Sequence, residues 1–150
     1  MRFLIIASFE ERQKMMRLGE ALQTLGHAVR AYSEATRQTL VAHEEYGSFN
    51  PSTQPYENWL ECHPSYKEAL REVSANLAKL AEAEAIILLL PGNQDTGTAC
   101  GLALGLGKKV FVVGCPKEGG LSLVHLMGSA KTVPKRFQDL DCFLTWFKKQ

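Results

Sequence analysis

The sequence predicts an α/β fold, a parallel sheet covered by helices on both faces. Three observations carry that expectation. Short apolar runs of strand length alternate with segments whose apolar residues recur every three or four positions. One run, Ala85–Leu90, is apolar at every position, as a strand buried on both faces requires. The chain has 150 residues, which is room for one domain with a core that needs no staples. Its 45% hydrophobic and 22% charged residues exclude a disordered chain.

Phe3–Ala7 reads as the first buried strand. At Glu10 the period changes. Met15, Leu18, Leu22 and Leu25 recur at helical spacing, and Gly26 supplies the stop. Ala28–Tyr32 reads as a second strand. Residues 34–64 are less patterned. Glu34–Tyr46 fits one helix, and Gly47–Tyr56, with its glycine, asparagine and prolines, reads as a loop. So long an irregular stretch in a compact domain is expected to be a functional loop or lid. Ser65-Tyr66-Lys67-Glu68 has the capping-box pattern, in which serine caps the third helical amide and glutamate reaches back. Leu70, Val73, Leu77 and Leu80 then form a buried stripe. Ala85–Leu90 is the third strand and Pro91–Asp95 a loop. Thr96–Gly107 is a helix of small residues, and Lys108–Gly114 the fourth strand. Cys115–Gly128 reads as a loop and Ala130–Val133 as a short fifth strand. Phe137, Leu140, Leu144 and Phe147 form the stripe of the last helix. No repeat, low-complexity tract or linker interrupts this order, so residues 1–150 form one domain.

Strands alternating with helices in this way fit a flavodoxin-like (Rossmann-type) doubly wound sheet of five parallel strands, order 2-1-3-4-5. Such sheets bind ligands beyond the carboxyl ends of strands 1 and 3, where the order reverses. That rule selects Ser8–Arg12 and Pro91–Ala99. Other classes are excluded by composition. A net charge of +1 gives no basic surplus for polymeric nucleic acid or an anionic membrane. No apolar run approaches the ~20 residues of a membrane span. The amino-terminal run is too short for a secretory signal and meets Glu10 and Glu11 at once, so a cytoplasmic protein is expected. The four cysteines (62, 100, 115, 142) form no CxxC and the four histidines no HxxxH, so no metal is expected, and the thiols should be reduced and mostly buried.

The segment after the third strand carries a more specific signal. It runs Leu90-Pro91-Gly92-Asn93-Gln94-Asp95-Thr96-Gly97-Thr98-Ala99-Cys100-Gly101-Leu102-Ala103, then reaches Gly107-Lys108 before the next strand. This resembles the signature of the nucleoside 2-deoxyribosyltransferase superfamily, which includes related nucleotide N-glycosidases. The upstream helix Asn76–Glu84 is similar to that family's helix as well. The resemblance spans residues 1–32 and 66–114. It implies attack of a glutamate on the sugar C1′, departure of the base, and a glycosyl-enzyme resolved by water or a second base. A carboxylate suits that reaction because the transition state resembles an oxocarbenium ion. Matched on Gly101, Ala103 and Gly107-Lys108, the nucleophile's position is Ala99, and the family's helix aspartate falls at Asn76. Alanine has no group with which to attack. Either the chain binds without turnover, or it is an inactivated form of an enzyme with glutamate at position 99.

The resemblance also implies substrate contacts from Ser8, Phe9 and Arg12 through a hydroxyl, a stacked ring and a basic group. The plainer alternative is a core Phe9 and a solvated Arg12. Gly92 lies in the loop of the switch point. Gly97 and Thr98 would offer amides at a helix N-terminus to a phosphate or to the sugar, and Asp95 would cap that helix. Cys100 reads as a packed core thiol rather than a substitute nucleophile. Tyr46, Phe49, Tyr56 and Trp59 could stack on a base or simply pack beneath the long loop. His125, in the apolar segment 121–127, is either structural or, by the resemblance, near a partner subunit's site. Together these readings give a homodimeric domain for a nucleoside or nucleoside 5′-monophosphate, with no metal or organic cofactor. Its chemistry would be cleavage or transfer at the N-glycosidic bond. The alternative is a non-catalytic nucleotide sensor or sequestering protein. An electron carrier or receiver domain would need a phosphate cradle after strand 1 or an acidic cluster, and the sequence offers neither.

Overall fold

The structure, a computed structural model, describes residues 1–31, 71, 74, 75, 77–92, 94–115 and 135–150. In chain order these form β1 (Arg2–Ile6), a 3-10 turn (Phe9–Glu11), α1 (Arg12–Thr24), β2 (Ala28–Ala31) and α2 (77–82). Then come β3 (Ala85–Leu89), α3 (Gln94–Gly105), β4 (Lys109–Val113), β5 (Lys135–Phe137) and α4 (Leu140–Phe147). The strands pair in the order β2-β1-β3-β4-β5 and every pairing is parallel. This is the doubly wound α/β sheet that the sequence predicts.

Successive strand residues point to opposite faces, and the chain fills both. Leu4, Ile6, Ile86, Leu88, Val110 and Val112 pack on one side with α2 and α3. Phe3, Ile5, Ile87, Leu89, Phe111 and Val113 pack on the other with α1 and α4. The register places Ile5 beside Ile87 and Ile87 beside Phe111. Each central strand therefore supplies side chains to two cores, which is why Ala85–Leu90 has no polar position.

The differences from expectation lie at element ends and at the edge. Leu25 is 40% exposed, because α1 stops one residue earlier. Its amide closes the helix onto Ala21 and Leu22, and Gly26 reverses the chain at φ +82°. Leu77 is 38% exposed, whereas Leu80 of the same stripe is fully buried; Leu70 and Val73 lie outside the described residues. α3 begins at Gln94, two residues before the predicted start. The strand that pairs with β4 is Lys135–Phe137, and the predicted strand 130–133 lies outside the described residues. Phe137 thus belongs to β5 and not to the last helix. Phe143, absent from the predicted stripe, is fully buried and packs against Phe111, Phe137 and Phe147. Of the described thiols only Cys100 is buried, while Cys115 and Cys142 are exposed. That corrects the expectation of mostly buried cysteines, since residues 115 and 142 fall at a strand exit and on the outer side of α4. The helix and loop expected over 34–64, Cys62, and the capping box at 65–68 lie outside the described residues.

Candidate functional site

The order of the sheet reverses between β1 and β3, and their carboxyl ends lie side by side, with Ile6 paired to Leu88. The two segments selected from the sequence meet there. Ser8, nearly buried just beyond β1, donates its hydroxyl to the Pro91 carbonyl at 3.4 Å. Phe9 begins the 3-10 turn that follows, and Arg12 stands exposed at the first position of α1. On the β3 side, a side chain at Gly92 would lie 2.4 Å from the Thr96 hydroxyl oxygen. A Cβ there would force the Thr96 hydroxyl to turn away. Thr96 is buried and Thr98 exposed.

The earlier start of α3 shifts several expected roles. Asp95 is the second residue of the helix and so lies within its first turn rather than before it. An acidic residue there still suits the positive end of the helix dipole. Gly97 and Thr98 occupy the fourth and fifth positions, where an α-helical amide bonds back to the carbonyl four residues earlier. The open end of the helix lies instead at Gln94 and Asp95. Ala99 is 3% exposed and packs in the cluster that holds Leu4, Ile6, Leu90 and Ala103. Burial pushes the neighbouring Cys100 thiol up to about 11, so it stays protonated and is a core side chain rather than a nucleophile. Asn76 and His125 lie outside the described residues.

Beside the Ser8–Pro91 contact, on the α1/α4 side of the sheet, is a cavity of about 390 Å³. Leu89, Leu90 and Val113 form its apolar floor, and Lys14, Arg17 and Asp141 stand at its rim. Lys14 Nζ is 2.6 Å from Glu11, and Arg17 is 2.6 Å from Asp141, a bridge that ties α1 to α4. Asp139 also borders the cavity. It caps α4 by accepting the Cys142 amide at 2.7 Å, and that bond holds its carboxyl below the usual range. The cavity has the size and make-up of a small-molecule site, an apolar bed with a few polar groups at the edge. None of its rim residues was singled out from the sequence. The available signal was positional, because Lys14 and Arg17 lie one turn apart in the helix that follows the switch-point strand. Among the described residues no group of histidine, cysteine and acidic side chains could hold a metal, and no helix is long and apolar enough to cross a membrane. Comparison with known protein families and with curated proteins finds no match to the chain.

Proposed function

We propose that this chain binds one nucleoside or nucleoside 5′-monophosphate per subunit in the crevice between residues 8–12 and 91–99. The observation that carries this reading is the junction at the β1/β3 reversal, where Ser8 meets Pro91; the adjoining cavity of about 390 Å³ shares Pro91 with that crevice and extends from it toward α1 and α4. The resemblance of the segment 90–108 supplies the ligand class. The chemistry that would suit the site is cleavage or transfer at the N-glycosidic bond. With alanine at position 99, however, the chain holds its ligand without turning it over. Ground-state contacts survive that loss, because the nucleophile acts mainly in the transition state. A sensor or sequestering role in the cytoplasm fits the same geometry, since Ala99 packs into a core cluster rather than lining the cavity. The active form, on this reading, is a homodimer, and polymeric nucleic acid is not a partner.

Calorimetric titration against nucleosides, their 5′-monophosphates and free bases tests the reading. One mononucleoside or mononucleotide is expected to bind per subunit, and chromatography is expected to show no base released. Binding of flavin or a dinucleotide with no response to these ligands would overturn it.

A further inference from the structure

We propose that the cavity between α1 and α4 receives the base of the ligand, an uncharged heteroaromatic ring whose edge carries a hydrogen-bond donor beside an acceptor. The proposal rests on the nucleoside reading above and says which part of the ligand lies where. The sugar stays on the crevice side of Pro91, the residue that the two spaces share.

Shape is the first argument. The cavity measures about 390 Å³, at the lower end of the range for small-molecule sites. It has room for one base with part of a sugar and not for a dinucleotide. Leu89, Leu90 and Val113 form its floor. All three are buried at the carboxyl ends of β3 and β4, an apolar bed on which a flat ring loses water from one face.

Charge decides between ligand classes. The cavity is lined by two cations, Lys14 and Arg17, and two anions, Asp139 and Asp141. Each already has a partner. Lys14 is 2.6 Å from Glu11, and Arg17 is 2.6 Å from Asp141. Asp139 accepts the Cys142 amide and so closes the open end of α4 with a carboxylate. A phosphate or a fatty-acid head would meet the like charges of Asp139 and Asp141, and would have to displace Glu11 or Asp141 from its cation. An ammonium group would compete with Lys14 and Arg17 in the same way. A neutral ring leaves all of these contacts in place.

Gln138 supplies what a neutral ring can use. It lines the cavity, and its carboxamide has no hydrogen-bond partner among the described residues. A carboxamide presents a donor and an acceptor side by side, the complement of the adjacent donor and acceptor on a base edge. An alkyl chain has no such edge, and a sugar has no flat apolar face for the floor. Cys115 lines the same cavity with a free, exposed thiol, whereas Cys142, also exposed, does not line it. The two thiols therefore make an internal comparison.

Adenine, guanine, cytosine, thymine and the matching nucleosides are titrated into the full chain by calorimetry. Iodoacetamide labelling with peptide mass mapping then follows, with and without the compound that binds. Binding is expected to slow labelling of Cys115 about fivefold or more and to leave Cys142 unchanged. Gln138→Ala is expected to weaken binding about tenfold, through the loss of the edge contacts. Cys115→Trp, which sets a large ring at the cavity, is expected to weaken it by at least about tenfold. Thr145→Ala, exposed on α4 and outside the cavity, is expected to leave binding unchanged. Residues 115 and 138 are exposed, so circular dichroism is expected to be native in all three variants. A compound that binds while Cys115 is labelled at its free rate, and that binds the Gln138 and Cys115 variants as tightly as the wild type, overturns this placement alone. Absence of binding by all of these compounds and by the 5′-monophosphates overturns the reading above and this one with it.

Discussion

Replacing Ala99 with glutamate puts a carboxyl group into a core cluster, among Leu4, Ile6, Leu90 and Ala103, at a position 3% exposed. The next residue shows what that surrounding does to charge, because burial pushes the Cys100 thiol up to about 11. The helix dipole offers little relief. α3 begins at Gln94, so residue 99 is beyond the first turn, where the dipole acts. Burial therefore decides, and the new carboxyl ionises above the ~4.3 of a free glutamate. Extra volume and a buried polar group each cost about 1–3 kcal/mol. With partial relaxation the net loss is about 2–4 kcal/mol, or roughly 5–15 °C in Tm for a chain of this length. Because the folded-state pKa is raised, the variant comes closest to wild type below about pH 4. It falls further behind as pH rises through the raised value. Any nucleoside cleavage that the carboxylate supports rises over the same window, since the ionised form is the nucleophile. Thermal melts across that pH range, with chromatography for released base, read both effects. A variant that melts within roughly 2 °C of wild type at pH 8 would refute the packed placement of residue 99. A deficit that does not change with pH would refute its titration.

Gly114→Ala is expected to lose at least about 2 kcal/mol in denaturant unfolding, because its φ is +102° and a Cβ would lie 2.6 Å from the Leu90 carbonyl. Gly26→Ala, at φ +82° with nothing within 4 Å, is expected to lose only about 1 kcal/mol, and equal losses would contradict the contact at Leu90. Asp139 caps α4 as a carboxylate held below its usual range by the Cys142 amide, so its contribution is present above the ordinary aspartate pKa and fades as pH falls through the lowered value. Asp139→Asn keeps the cap and is expected to flatten the acid limb of Tm against pH, whereas Asp139→Ala lowers Tm at neutral pH; an unchanged acid limb in the asparagine variant would count against the cap's titration. Iodoacetamide at pH 8, followed by peptide mass mapping, is expected to modify exposed Cys115 and Cys142 and to spare Cys100 until the chain unfolds; early labelling of Cys100 would show that its core opens.

The fold was legible because the central strands leave little choice. β3 is apolar at every position, since Ile86 and Leu88 serve one core and Ile87 and Leu89 the other. Its neighbours pair with it in register, and the helices between them carry stripes such as Met15, Leu18 and Leu22. Legibility fades where one side of an element loses its partner. β5 is an edge strand of three residues in which Lys135 and Arg136 are exposed and only Phe137 is partly buried, so neither period nor apolar content announces it. What holds it is its pairing with β4 and the aromatic side chains of α4. The Phe137 ring meets Phe111, Phe143 and Trp146, and the Lys135 ammonium sits 3.8 Å over the Trp146 ring.

The candidate site divides in the same way. The switch-point rule locates the meeting of Ser8 and Pro91, because it depends on strand order alone. It does not reach the cavity rim, where Arg17 and Asp141 are 124 residues apart in sequence and joined only by the packing of α1 against α4. Sequence spacing is also silent on depth. Ala99 and Thr98 are neighbours in one motif, yet residue 98 is exposed and residue 99 buried. Two residues' difference in where α3 starts alters the chemistry of that whole stretch. It takes Gly97 and Thr98 off the open end of the helix, and it takes position 99 out of reach of the dipole. A carboxylate at 99 would then sit among Leu4, Ile6, Leu90 and Ala103 with no helix dipole to keep it ionised. The alanine asks for nothing of the kind, and its methyl group adds to the same core that holds β1 and β3 together.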